Sequence, residues 1–359
     1  MFNRTRLTVA RQRASLTMKE LADKIGVEPR AVSGYEAGEY DPTEETVARI
    51  CRILKYPPEF FAGDDMDIPD AAGVSFRAMT KMTAKQRDAA IAAGALGYLL
   101  IDWIEDRFNL PDVDLPDLRE ETPEMAAMSL RQCWGIGERP IKNMIHLLEA
   151  KGVRVFSLAE DCIEIDAYSV WRGHRPCIFL NTGKSAQRGR FDAAHELGHL
   201  VLHRHAAPNG QDAEKEAHRF AASFLMPEAS MKTVGRVDRL SQVIDLKKKW
   251  QVSVAAMVYR LHELGIMSRW TYQTFFVEIS RRGWRTTEPF STRNETSQVW
   301  QKVFAQLRKE SMGPEYLASE LRMPVDEIVK LVFGLVMVGL PSSVSTPAPQ
   351  KIKPNLRIV

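Results

Sequence analysis

The strongest constraint on the chain is the pentad His195-Glu196-Leu197-Gly198-His199, set in a stretch from Phe191 to His205 whose composition favours a helix. Residues four apart on an α-helix stand one turn apart on one face, so both imidazoles can address a single metal ion while Glu196 projects beside it. Apolar Phe191, Ala194, Leu197, Gly198 and Val201 surround the polar trio. That pattern predicts a buried helix, where histidines without partners would be costly. Five of the eight histidines, namely His195, His199, His203, His205 and His218, fall in this part of the chain.

This donor set suits zinc (Zn2+). A zinc ion with three protein ligands keeps a fourth place for water and lowers the pKa of that water to about 7. Glu196, as general base, would take the proton and return it to a leaving amine. The expected chemistry is metal-dependent peptide hydrolysis. The third ligand stays open at this level. His205 has the spacing of the H-E-x-x-H-x-x-G-x-x-H pattern, but Leu202 stands where that pattern needs a glycine for its turn. The other candidate is a carboxylate of a helix expected over 212–228, with Glu214 and Glu216 at its start and Ala217, Phe220, Ala221, Phe224 and Leu225 as its apolar stripe. His203 reads as a surface histidine, and no residue is assigned to stabilise an oxyanion.

The runs RFDAAHELGHLVLH and EKEAHRFAASFLMP together resemble the ImmA/IrrE family of zinc metallopeptidases. The resemblance spans 124–266 and implies Glu216, the glutamate before the alanine of the second run, as third zinc ligand beside His195 and His199. His218 stands where the family commonly has asparagine or aspartate. Two residues apart on a helix, Glu216 and His218 point away from each other and are not expected to share one ion.

A second signal lies at the N-terminus. Thr17-Met-Lys-Glu20 is a capping box for a short helix with Leu21, Ala22 and Ile25 inward; Gly26 ends it, and a new helix opens near Glu28-Pro29 with Val32 inward. Thr43 caps another helix, whose buried stripe is Val47, Ile50, Cys51 and Leu54. The run LTMKELADKIGVEPRAVSGYEAGEYDPTEETV resembles the Cro/C1-type (XRE family) helix-turn-helix over residues 6 to 61. The resemblance implies a recognition helix starting near Glu28, with Arg30 and Ser33 reading bases and Arg11, Arg13 and Lys19 meeting phosphates. Arg4, Arg6, Arg11 and Arg13 fall in an opening stretch without acids.

Composition sets wider bounds. A chain of 359 residues with 45% hydrophobic content can bury two or three domains, and a net charge of +3 argues by itself for neither nucleic acid nor membrane. Cys51, Cys133, Cys162 and Cys177 form no C-x-x-C pair, the N-terminus has no apolar leader, and the apolar run 328–340 is too short to span a bilayer. The chain is therefore expected to be cytoplasmic, with no membrane partner.

The expected fold class is multidomain and mainly α with a small β-sheet: an all-α helix-turn-helix bundle followed by an α+β zincin-like metallopeptidase domain. The expected boundaries are 1–62 for the DNA-binding unit, 63–123 for a helical linker, 124–266 for the peptidase unit, 267–340 for a C-terminal domain and 341–359 for a flexible tail. Strands are expected at 153–157, 167–171 and 177–181, with 177–181 as an edge strand that could cradle an extended substrate, and a β-like stretch at 270–279. The basic runs 184–190 and 247–249 read as solvated. The combination points to a transcriptional regulator that binds a double-stranded DNA operator, could act as a homodimer, and carries a zinc endopeptidase cutting a repressor or antitoxin-like protein. The alternative is a transcription factor whose zinc site only senses or holds structure.

Overall fold

The N-terminal turn signals produce the elements they encode. Helix α1 (Arg4–Arg13) is followed by α2 (Met18–Ile25), where Thr17 Oγ1 accepts from the Glu20 N–H at 3.1 Å and Glu20 accepts from the Thr17 N–H at 2.7 Å. Gly26 closes α2 at φ +70°, a left-handed conformation that costs glycine little. Helices α3 (Pro29–Ala37), α4 (Glu44–Leu54) and α5 (Pro58–Phe61) complete the bundle around Leu21, Ala22, Ile25, Val32 and Ile50. The computed structural model describes residues 2–70, 75–76, 83–158, 166–204 and 210–336.

After strand β1 (Ser75–Phe76) comes α6 (Ala84–Arg107), the segment expected to be a spacer. It is instead a central core helix. Ala89, Ala90, Ala92, Ala93 and Ala95 are all buried, and Tyr168 Oη donates to the Ala90 carbonyl at 2.8 Å. A Cβ on Gly97 would stand 2.9 Å from the Phe179 ring. Small residues all round a helix let neighbours close on every side, and here those neighbours are the N-terminal bundle and the sheet.

Helices α7 (Pro123–Cys133) and α8 (Met144–Ala150) lead into β2 (Arg154–Leu158), β3 (Ala167–Arg172) and β4 (Arg175–Asn181). The sheet order is β1-β3-β4-β2, with β2 parallel to β4 and the other pairs antiparallel. Side chains alternate between its faces. Phe156, Tyr168 and Phe179 join the core of α6, and Val155, Ala167, Ile178 and Leu180 join the opposite core. Because β4 is hydrogen-bonded on both sides, it has no free edge, and the expected cradle at 177–181 is corrected to an inner strand.

On that opposite face lie α9 (Ala186–Leu202) and α10 (Gln211–Leu225), followed by α11 (Glu228–Lys232), α12 (Leu240–Trp250) and α13 (Val254–Glu263). The stretch read as β-like is helix α14 (Arg269–Arg281), capped by Ser268 Oγ accepting from the Thr271 N–H at 3.1 Å. Its buried positions Thr271, Phe275 and Ile279 follow a helical period, and this packing overrides the strand preference of its aromatic and β-branched residues. Helices α15 (Gln298–Lys309), α16 (Pro314–Leu321) and α17 (Val325–Val332) return to the core of α1 and α6. No helix among the described residues is long and apolar enough to cross a membrane. The expected tail at 341–359 and His205 lie outside the described residues.

Candidate metal centre and helix-turn-helix surface

Helix α9 is buried continuously from Asp192 to Leu202, which places His195, Glu196 and His199 in the interior at 1%, 0% and 3% exposure. The Nε2 atoms of His195 and His199 are 3.1 Å apart. The Glu214 carboxylate reaches both, with one oxygen 3.3 Å from each Nε2. One ligand atom from each of the three residues lies within 4.8 Å of the others. Two donors on one tetrahedral zinc, each about 2.1 Å from it, stand roughly 3.4 Å apart, close to the separations seen here, so this trio could hold such an ion. Burial works to raise the Glu214 carboxyl, but hydrogen bonds from His195 and His199 outweigh it and hold the group well below the usual carboxylate range.

Glu216 sits elsewhere. Its Oε2 is 2.8 Å from His203 Nε2, whose other nitrogen is 3.1 Å from His199 Nδ1. The structure therefore brings Glu214 to the two imidazoles, in place of the Glu216 that the resemblance implied. Register explains the exchange. Gly198 lets α10 approach until a Cβ there would be 3.2 Å from Ala217 Cα, and Glu214 lies three residues before Ala217. His218 turns its ring to Phe191, with centroids 5.0 Å apart.

Ser169 on β3 was not foreseen. Its Oγ is 2.7 Å from Glu196 Oε2 and donates to it, orienting the carboxylate. Strand alternation could have found it, because Ser169 shares a face with Ala167, which packs in the core of α9. A cleft of about 390 Å³ reaches the trio at His199 and is lined also by Asp67, Tyr98, Ser169, Trp171 and His203 among others.

The predicted nucleic-acid residues divide sharply. Arg30, Ser33 and Lys19 are exposed on α2 and α3. Arg11 and Arg13 are buried, which corrects their assignment to phosphates. The Arg11 guanidinium makes a two-pronged pair with Glu36, at 2.5 and 2.8 Å, and Arg13 Nε bonds Glu327 at 2.7 Å. Arg6 is spent on the Asp64 carbonyl at 2.7 Å and lies over the Phe60 ring. The other basic runs are likewise engaged. Lys184 and Arg188 both pair with Asp166, Arg190 pairs with Glu295, and the buried Lys247 donates to the Pro289 carbonyl at 2.7 Å.

Residues 9–61 match a helix-turn-helix family model, and residues 148–262 match a peptidase family model described as the IrrE N-terminal-like domain. The chain joins a helix-turn-helix domain to a metallopeptidase-type domain. The first match covers α2, α3 and α4; the second covers the sheet strands β2 to β4 and the helices that carry His195, His199 and Glu214. No sequence among curated proteins matches the chain as a relative.

Proposed function

We propose that the protein is a transcriptional regulator that binds operator DNA through α3 and carries a zinc endopeptidase that cuts a repressor or antitoxin-like partner. The observation that carries the reading is Glu196, fully buried beside the cluster of His195, His199 and Glu214, and hydrogen-bonded by Ser169, which with His199 lines an open cleft. His195, His199 and Glu214 would hold zinc. Zinc, when bound, supplies a Lewis acid for the scissile carbonyl and acidifies the attacking water. Glu196 takes the proton of that water at its carboxylate and hands it to the leaving amine nitrogen. Ser169 keeps the carboxylate in place for both transfers. A site that only held structure would use four protein ligands and have no need of such a base.

At the other end, Arg30 and Ser33 face outward from α3, where a recognition helix would present them to base edges, and Lys19 is placed for a phosphate. The deciding experiment offers the full chain the small repressor-like proteins encoded by the genes that flank it. Cleavage should require zinc, and Glu196→Gln should keep stoichiometric zinc and lose cleavage. Undiminished cutting by that variant would remove Glu196 from the role of base.

A further inference from the structure

Where the C-terminal end of α9 meets α10, His203 and Glu216 form a pair of side chains for which zinc binding and proton transfer have no direct use. His203 lies between His199 and Glu216, its Nδ1 at 3.1 Å from His199 Nδ1 and its Nε2 at 2.8 Å from Glu216 Oε2. The His203 side chain is 9% exposed and that of Glu216 48%.

Tautomer chemistry gives this chain of contacts a direction. A histidine that ligates through Nε2 carries its proton on Nδ1, and the partner at Nδ1 decides how well that form and ring orientation are held. With His199 donating from Nδ1, His203 Nδ1 must accept. The proton of His203 then sits on Nε2, aimed at a carboxylate that can only accept while ionised. Each bond sets the next. We propose that His203 and Glu216 form a positioning relay that holds His199 in the tautomer presenting Nε2 to zinc. The inference rests on the reading of His199 as a zinc ligand and adds a task for two residues outside the trio.

The test is zinc affinity of the full chain, by chelator competition, together with the visible spectrum of the cobalt-loaded protein. Asparagine at 203 places an acceptor where Nδ1 stands, whereas glutamine places its amide where Nε2 stands. His203→Asn should bind zinc within a few-fold of the parent. His203→Gln, which keeps a partner for Glu216 but offers His199 no acceptor, should bind about 10- to 100-fold more weakly and shift the cobalt bands. Glu216→Leu should weaken zinc by less, since its carboxylate is half in water, and should add nothing on top of His203→Gln. Equal affinity and identical cobalt spectra for the asparagine and glutamine variants would overturn the relay. A parent chain that takes up no zinc would instead overturn the zinc reading beneath it.

Discussion

Arg13 in α1 and Glu327 in α17 form a buried ion pair at 2.7 Å, across 314 residues of chain. Their side chains are 2% and 11% exposed, and they lie beside Tyr56, whose phenol is pushed well above its ordinary value by burial and by the Glu327 charge. The helix-turn-helix domain therefore shares one core with the C-terminal helices and α6. Removing one partner of such a pair leaves an uncompensated charge in the interior, at a cost of about 3–5 kcal/mol, whereas replacing both by apolar residues of similar size is close to neutral. Urea denaturation should find Glu327→Ala strongly destabilised and the double variant Arg13→Met, Glu327→Leu much less so. A loss below about 1 kcal/mol in the single variant would mean that the pair is solvated in solution.

The same burial limits how the helix-turn-helix can meet DNA. With Arg6, Arg11 and Arg13 committed internally, the exposed cations that α2 and α3 offer to phosphates are Lys19, Lys24 and Arg30. The logarithm of affinity should fall with that of salt with a slope of only about −2 to −4. Arg30→Ala should flatten the preference among operator sequences by about 1–3 kcal/mol. Arg11→Ala should lower stability, because Glu36 loses its partner, with little change in slope. A slope steeper than about −6 in filter binding would show more phosphate contacts than this surface offers.

For the metal site, Glu214→Gln and Glu216→Gln separate the two acids. Glu214 touches both imidazoles and Glu216 neither, so elemental analysis should find Glu214→Gln largely empty. Glu216→Gln retains an amide oxygen for His203 and should stay loaded. The reverse result would restore Glu216 as third ligand.

What the sequence made legible is what is encoded locally. The capping box at Thr17, the stop at Gly26 and the spacing of His195 and His199 depend on residues within a turn or two. Each appears where the pattern places it. The choice between Glu214 and Glu216 depends on how α10 slides against α9, which no spacing within either helix specifies. The burial of Arg13 is hidden from local sequence for a related reason, since its partner Glu327 lies 314 residues away. The alanines of α6 read as a neutral spacer because smallness has a consequence only when a bulky neighbour such as Phe179 closes on them. In α14, aromatic and β-branched residues carried a strand signal that tertiary packing overrode.

Glu149 gives the fold a pH dependence. On α8, it accepts from Ser297 Oγ and from the N–H groups of Gln298 and Val299, the latter two at 2.8 and 3.3 Å, fastening the start of α15. Burial pushes its carboxyl up to about 7 from an ordinary 4.5, against the pull of those hydrogen bonds. Between these values the native chain keeps a proton that the unfolded chain has lost, so stability falls as pH rises through the window, by up to about 1.4 kcal/mol per unit. The contribution is complete below 4.5 and gone above 7. Urea titrations at pH 5, 6 and 7 should show a flatter slope for Glu149→Gln than for the parent. Parallel slopes would show that the hydrogen bonds keep Glu149 ionised throughout.

Gly198 tests whether the approach of α10 to α9 builds the site. Replacement by alanine removes a flexible residue from a helix interior, worth about 1 kcal/mol in favour of the variant. Against this, the new methyl would stand 3.0 Å from Phe220 Cδ1 and 3.2 Å from Ala217 Cα. Overpacking of this kind typically costs about 1–3 kcal/mol. The ring of Phe220 can tilt, but Ala217 Cα is backbone, so relief requires α10 itself to move. Glu214 lies on that helix, one turn before Ala217, and would be carried away from His195 and His199. Gly198→Ala should therefore change overall stability by only about 1–2 kcal/mol while weakening zinc at least about 10-fold. That disproportion separates displacement of a ligand from general loosening. Thermal unfolding of the metal-free chain and chelator competition on the loaded one measure the two effects, and a variant that binds zinc like the parent would show that α10 does not need this contact to deliver Glu214.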